Sequence, residues 1–296
     1  DAYVTRASSG EFDNSELIVE LLKLRKEQAQ LLGYKNYAEM SLSSKMAQNI
    51  ENVKKMIDEL ETASKPFAAK EQEDLVNFAH ENGFDGELMP WDTHFWAERQ
   101  REKLFSFTES QIRPYFPLPR VLDSLFKLCN KLYGITIRKS EYSKIPRWHE
   151  DVMFFNIFDE QDNMIAHFYL DPYSRPSEKR GGAWMNTCRN RRLFKGKVVR
   201  PVIYVICNGT PAMDNQPSLM SFYEVNTLFH EFGHALQGML TTIDEADASG
   251  VSNVEWDAVE LASQFMENWC LNRETFFGMA KHYKTGETIP VEFYEK

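Results

Sequence analysis

Residues 230–234 read His-Glu-Phe-Gly-His, inside an apolar stretch of helical periodicity that opens near Phe222. Histidines four apart lie one turn from each other on one helix face, with Glu231 beside the first. Two imidazoles so placed suit a single Zn²⁺ at about 2.0 to 2.1 Å, and the glutamate can reach a water in an open coordination position. The pattern constrains the fold. Its helix must start and stop cleanly, bury its other face, and lie against an element that supplies a third ligand. Ser221 and Glu224 form an S-x-x-E capping box ahead of it, and the periodicity carries the helix to about Leu240.

The third ligand is not a histidine further along the same motif. A Gly-then-His extension would need Gly at 237 and His at 240, where this chain has Gln237 and Leu240. The other route is a carboxylate on a second helix. Ser252 and Glu255 supply another capping box, opening a run to about Cys270. Along it Asp257, Glu260, Gln264 and Glu267 follow at steps of three, four and three, an acidic-polar stripe on one face. Carboxylates among Trp256, Val259, Leu261, Phe265, Met266 and Trp269 are costly to bury without a cation or hydrogen-bond partner, which a metal centre would provide. Spacing leaves the choice among the stripe's members open.

The rest of the chain reads as a mainly helical scaffold followed by a small sheet. Helical periodicity recurs over 15–32, where Asp13 and Glu16 offer a capping box and Gly33 a stop, then near 53–60, 75–79, 91–107 and 121–132. Pro66 and the 114–119 stretch punctuate it. After Tyr133 the pattern turns β-like at 135–137. Two apolar runs, 152–158 and 164–170, flank a polar turn as a hairpin, and 202–207 is the last strand before the motif helix. The expected class is predominantly α with a small β-sheet, α+β. Residues 1–134 form a helical scaffold and 135–296 the zinc-binding region, as one continuous structural unit.

At 296 residues and 43% hydrophobic the chain can bury a sizeable core. A net charge of −10 opposes nucleic acid or an anionic membrane as partner. No apolar run approaches the ~18 residues of a membrane span, and the opening residues resemble neither a signal nor a transit peptide. Cys129, Cys188, Cys207 and Cys270 are too scattered for a cysteine metal site and are expected as free thiols.

HEFGHALQ at 230–237, followed by VEWDAVELASQFMENW at 254–269, resembles the zinc oligopeptidases of the thimet oligopeptidase and oligopeptidase A group, with plant organellar and cytosolic members most alike. RASSGEFDN at 6–14, LRKEQAQLLGYKNYAEMSL at 24–42 and HFYLDPYSRPSEKRGGAW at 167–184 extend the resemblance along the chain. It implies a zincin-like metallopeptidase fold with one Zn²⁺ per chain held by His230, His234 and Glu260, and Glu231 as general base on the zinc-bound water. Asp257 and Glu267 are then candidates to hydrogen-bond and orient the histidines. The implied activity is that of a zinc-dependent metalloendopeptidase hydrolysing internal bonds of short unstructured peptides. A monomer is expected, in the cytoplasm or alternatively in the soluble compartment of mitochondria or chloroplasts.

The chain departs from the family pattern at Ala262, where Pro is usual, at Asn226, where an acid is common, and at Gly238, where His often stands. The family chain is also more than twice as long, with substrate-holding Tyr and His residues beyond the point matching Lys296. The alternative expectation is therefore a truncated, catalytically impaired member acting as a peptide-binding or interaction module. The strand at 202–207 offers an edge for a peptide to pair with, or is interior. Arg175, Lys179 and Arg180 read as a charged surface loop or as contacts to acidic peptide termini. His80, His94, His149 and His282 read as structural, and His167, on the hairpin, as a hydrogen-bonded structural histidine or as one facing the cleft.

Overall fold

The structure is a computed structural model and describes residues 10–142, 144–213 and 216–295; residues 6–9 of the RASSGEFDN segment lie outside it. The chain divides into two compact units, residues up to 107 with 255–258, and 108–254 with the remainder.

The first unit carries α1 (Ser15–Leu31), α2 (Tyr37–Leu42), α3 (Ile50–Glu81) and α4 (Pro90–Phe105). Asn49 caps α3 by accepting the Asn52 N–H, and the helix runs through Pro66, which does not break it as the sequence reading expects. α1 ends as anticipated, at Gly33 with φ +85°. The Asp13–Glu16 box does not form; Asp13 accepts instead from the Ser15 N–H and hydroxyl. Few apolar side chains are buried here. Ala29, Leu75 and Ala79 are, whereas Leu17, Ile18, Leu22, Met56, Leu60 and Phe67 are exposed. Phe78, Phe84 and Phe95 pack edge-on around Trp96 where α3 meets α4.

The second unit begins earlier than the expected boundary at 134, because α5 (Leu118–Tyr133) is a sheet-packing helix. Val121, Leu122, Leu125, Leu128 and Cys129 recur on one face and are buried in the core it shares with the sheet. Gly134 at φ +68° stops it. The sheet contains β1 (Thr136–Lys139), β2 (Met153–Phe158), β3 (Met164–Tyr173), β4 (Trp184–Arg189) and β7 (Val202–Gly209), in the order β1-β2-β3-β7-β4. β5 (Arg192–Phe194) and β6 (Lys197–Val199) form a separate ribbon. β2 and β3 are the expected hairpin, its turn closed by Asp159 accepting from the Gln161 and Asn163 N–H groups. β7 runs parallel to β3 and antiparallel to β4, so 202–209 is an interior strand. β1 and β4 are the two edges, and β4, the one beside β7, has no partner on its outer side among the described residues.

The motif helix α6 (Phe222–Leu240) starts where its sequence says. The Ser221 hydroxyl accepts the Glu224 N–H at 3.1 Å, and the Glu224 carboxylate accepts the Ser221 N–H. Phe232 sits inside the core against Phe168, ring centroids 5.4 Å apart, and Phe168 stacks on Phe155. Anchoring that face turns His230 and His234 to the other one. The second helix is shorter than expected: residues 251–260 form turns, α7 spans Leu261–Glu267, and one 3-10 turn follows. Ser252, the expected cap, instead accepts a hydrogen bond from the Asn190 side chain.

Candidate metal centre

α6 and α7 face each other through two stripes of polar side chains. His230 Nε2 lies 3.2 Å and His234 Nε2 2.9 Å from Glu260 Oε2, and the three donor atoms all fall within 4.8 Å of one another. Ligands about 2.0 to 2.1 Å from one tetrahedral ion are separated by about 3.3 Å, so two imidazole nitrogens and a carboxylate in this triangle fit zinc. Glu260 occupies the N-cap position of α7, and the Ser263 hydroxyl, 2.9 Å away, donates to its Oε2 and holds the carboxylate in place.

The close approach of the helices depends on Gly233. A Cβ there would lie 2.5 Å from the Ala262 carbonyl oxygen and 2.6 Å from the Ser263 Cα, both backbone atoms. The glycine between the two histidines is therefore what admits the chain segment carrying Glu260.

Glu267, one of two carboxylates considered as partners for the histidines, is 2.6 Å from His230 Nδ1. With Nδ1–H donated to Glu267, the Nε2 lone pair points at the Glu260–His234 side. This hydrogen bond, joined by one from Asn226, holds the Glu267 carboxyl below its usual range. Asp257 is placed differently. It lies ahead of α7 in the first unit and accepts the Met46 and Ala47 N–H groups at 3.1 and 3.0 Å, because the helix that was to carry it on a common stripe begins only at Leu261.

Glu231 is buried beside this triangle. Burial, reinforced by the Glu260 charge, raises its carboxyl to about 6, against the opposing pull of His230 and a hydrogen bond from the Met185 N–H. His234 is pushed down by burial, with Glu260 opposing. The Met185 contact shows that edge strand β4 borders the centre. Sequence reading missed β4, because Trp184 to Arg189 reads Trp-Met-Asn-Thr-Cys-Arg, with no alternation of apolar and polar residues to mark a strand. A cavity of about 220 Å³ adjoins it, with Ala183 and Gly182 leading into β4, Cys207 on β7, and Tyr223 and Thr227 on α6. Tyr223, Thr227, His230 and His234 follow at i, i+4, i+7 and i+11, on one face.

Residues 1–296 match the model of peptidase family M3 over their whole length. The chain belongs to peptidase family M3. It is 51% identical to the organellar oligopeptidase A, chloroplastic/mitochondrial, of Arabidopsis thaliana, over all of this chain and 38% of that protein. It is 50% identical to the protein named probable cytosolic oligopeptidase A of the same plant, with 100% and 43% covered, and 45% identical to oligopeptidase A of Escherichia coli K12, with 100% and 44% covered. This chain thus spans less than half the length of these relatives.

Several residues set aside in the sequence have plain roles in this M3 chain. Asp171, almost wholly buried, receives both Arg175 nitrogens at 2.9 and 2.7 Å, the Trp148 indole N–H, and Lys179. Lys179 also donates to the Tyr173 and Cys207 carbonyls, stitching β3 to β7. These two cations are therefore engaged within the fold. Asn208 donates to the Arg180 and Gly182 carbonyls and steers the chain into β4. His167 hydrogen-bonds Asn156. Cys129, Cys207 and Cys270 are buried free thiols and Cys188 an exposed one. No helix among the described residues is long and apolar enough to cross a membrane.

Proposed function

We propose that this chain carries the centre of a zinc-dependent oligopeptidase of zincin-like fold, cleaving internal bonds of short unstructured peptides. The observation carrying this reading is the triangle of His230 Nε2, His234 Nε2 and Glu260 Oε2, with buried Glu231 beside it. Zinc, when bound there, would supply Lewis acidity that polarises a peptide carbonyl and acidifies a water. Glu231, buried beside the three ligands, takes the proton from that water and delivers it to the leaving amine. Glu267 and Ser263 orient His230 and Glu260. The free edge of β4 offers backbone groups to an extended peptide, giving affinity with little sequence preference. The cavity beside Thr227 and Ala183 receives one side chain flanking the cleaved bond; at about 220 Å³ it exceeds the ~150 Å³ void that accepts benzene elsewhere.

The protein acts as a monomer on peptide substrates, in the cytosol or the soluble interior of mitochondria or chloroplasts, the compartments named for the plant relatives. The alternative reading is a peptide-binding module that holds zinc but does not cleave. One comparison separates the two. Wild type and Glu231→Gln are assayed for zinc content and for cleavage of an internally quenched peptide blocked at both ends. Equal zinc with cleavage lost at least a hundredfold in the variant supports the peptidase. Equal zinc and equal cleavage removes Glu231 from the mechanism, and stoichiometric zinc with no cleavage by either protein favours the binding module.

A further inference from the structure

α6 and α7 run antiparallel as a ladder of polar contacts. His234 meets Glu260, His230 meets both Glu260 and Glu267, and at the far end the Asn226 amide donates to Glu267 Oε2 at 3.0 Å. Asn226, His230 and His234 recur every four residues on one face of α6, and Glu260 and Glu267 lie seven apart on the facing segment.

From this closure we infer that Asn226 is a positioning residue that sets zinc affinity through Glu267, an inference resting on the zinc reading above. A free glutamate rotates about its terminal bond. Glu267 does not have that freedom, because each oxygen is engaged: Oε1 by His230 Nδ1 at 2.6 Å and Oε2 by Asn226 Nδ2 at 3.0 Å. Locking the carboxylate in one plane locks the imidazole plane that donates to it, and so aims His230 Nε2 at Glu260 and His234. The residue type matters. A carboxylic acid at 226 would face Glu267 with like charge or compete with it for a proton, whereas an amide donates without charge and leaves the full negative charge of Glu267 to His230. Asn226 is half-buried and adjoins Val225, which is fully buried, so the amide sits on a part of α6 whose backbone is fixed by the core. An asparagine inside a helix usually favours the unfolded chain or a cap over the helix, so its propensity gives no reason for it here.

The test measures zinc affinity rather than turnover. Wild type, Asn226→Ala, Glu267→Gln and the double variant are titrated with zinc against a chromophoric chelator, with thermal unfolding of each metal-free protein as a control on the fold. Alanine is a strong helix former, so Asn226→Ala keeps α6. Removing a group that orients a histidine ligand typically weakens metal binding 10- to 100-fold, and at least tenfold is expected for Glu267→Gln. Asn226→Ala is expected to lose several-fold to tenfold, and the double variant no more than Glu267→Gln alone, because Asn226 acts only through that carboxylate. Losses that multiply in the double variant overturn the inference, as does an Asn226→Ala affinity equal to wild type, while the zinc centre itself stands in both cases. Wild type that binds no stoichiometric zinc overturns both.

Discussion

Gly233 and Asp171 mark the two ends of what single residues do in this molecule. Gly233 contributes by having no side chain, since any Cβ would meet the backbone of 262–263 and displace Glu260 from the histidines. Asp171 contributes by its charge. Burial pushes its carboxyl up, but the hydrogen bonds from Arg175, Trp148 and Lys179 outweigh burial and hold it below the ordinary aspartate range. With the folded value below the unfolded one, its stabilisation is complete above the unfolded pKa and disappears as pH falls through the folded value. Asp171→Asn strands Arg175 and Lys179 without a counter-charge and is expected to cost about 3 to 5 kcal/mol at pH 7. The gap to wild type should begin to narrow below about pH 4, where the unfolded chain's aspartate takes up a proton while folded Asp171 stays ionised. Denaturant unfolding at pH 7 and pH 3 measures it; a gap unchanged at pH 3 contradicts this account. HEFGH and the Ser221–Glu224 box were legible residue by residue because capping and i,i+4 spacing are local. The Asp171 network was not, since Trp148 and Lys179 reach it from loops that no periodicity links.

Among the elements, the two that flank the centre were unequally legible. α6 announces both ends of its apolar run and its cap. α7 was read too early, with Ser252 rather than Glu260 as its N-cap, because Ser252 and Glu255 spell a capping box that tertiary contacts override. The acidic stripe nevertheless predicted a useful fact: Glu260 and Glu267 both face α6, seven residues apart. The sheet decides between the two readings of 202–207 in favour of the interior one. An apolar run such as 202–207 is what a strand buried on both faces looks like, and β7 is indeed flanked by β3 and β4. The edge beside it is the more polar β4, whose Met185 N–H reaches Glu231. If an extended peptide pairs with β4, only alternate peptide amides face the strand. Methylating those nitrogens one at a time should therefore raise KM several-fold at every second position and leave the others near the parent value. A flat series would sink the pairing.

Across the whole molecule, apolar burial is concentrated in the second unit. Its core runs from α5 through the sheet to α6, whereas the helices of the first unit keep many of their leucines and aromatics exposed. Hydrogen exchange should therefore be fastest in α1–α4 and slowest in β3, β7 and α6. A bound ion adds to the second unit alone. At free zinc a hundredfold above Kd it contributes about 2.7 kcal/mol, or roughly 5 to 10 °C in a unit of this size. Chelation should speed exchange in α6 and α7 while leaving α1–α4 unchanged, and equal acceleration everywhere would contradict the two-unit description. The sequence by itself determined the His230–His234 spacing, the helix that carries it, the α+β class and the family, because each is written in local spacing or in long matching segments. Tertiary structure alone decided that β4 and not β7 is the edge, that Glu267 and not Asp257 reaches His230, and that Asn226 closes the ladder. Those outcomes depend on which faces meet between segments far apart in the chain, 37 residues for His230 with Glu267 and 41 for Asn226 with Glu267, and no local pattern of apolar and polar positions encodes that meeting.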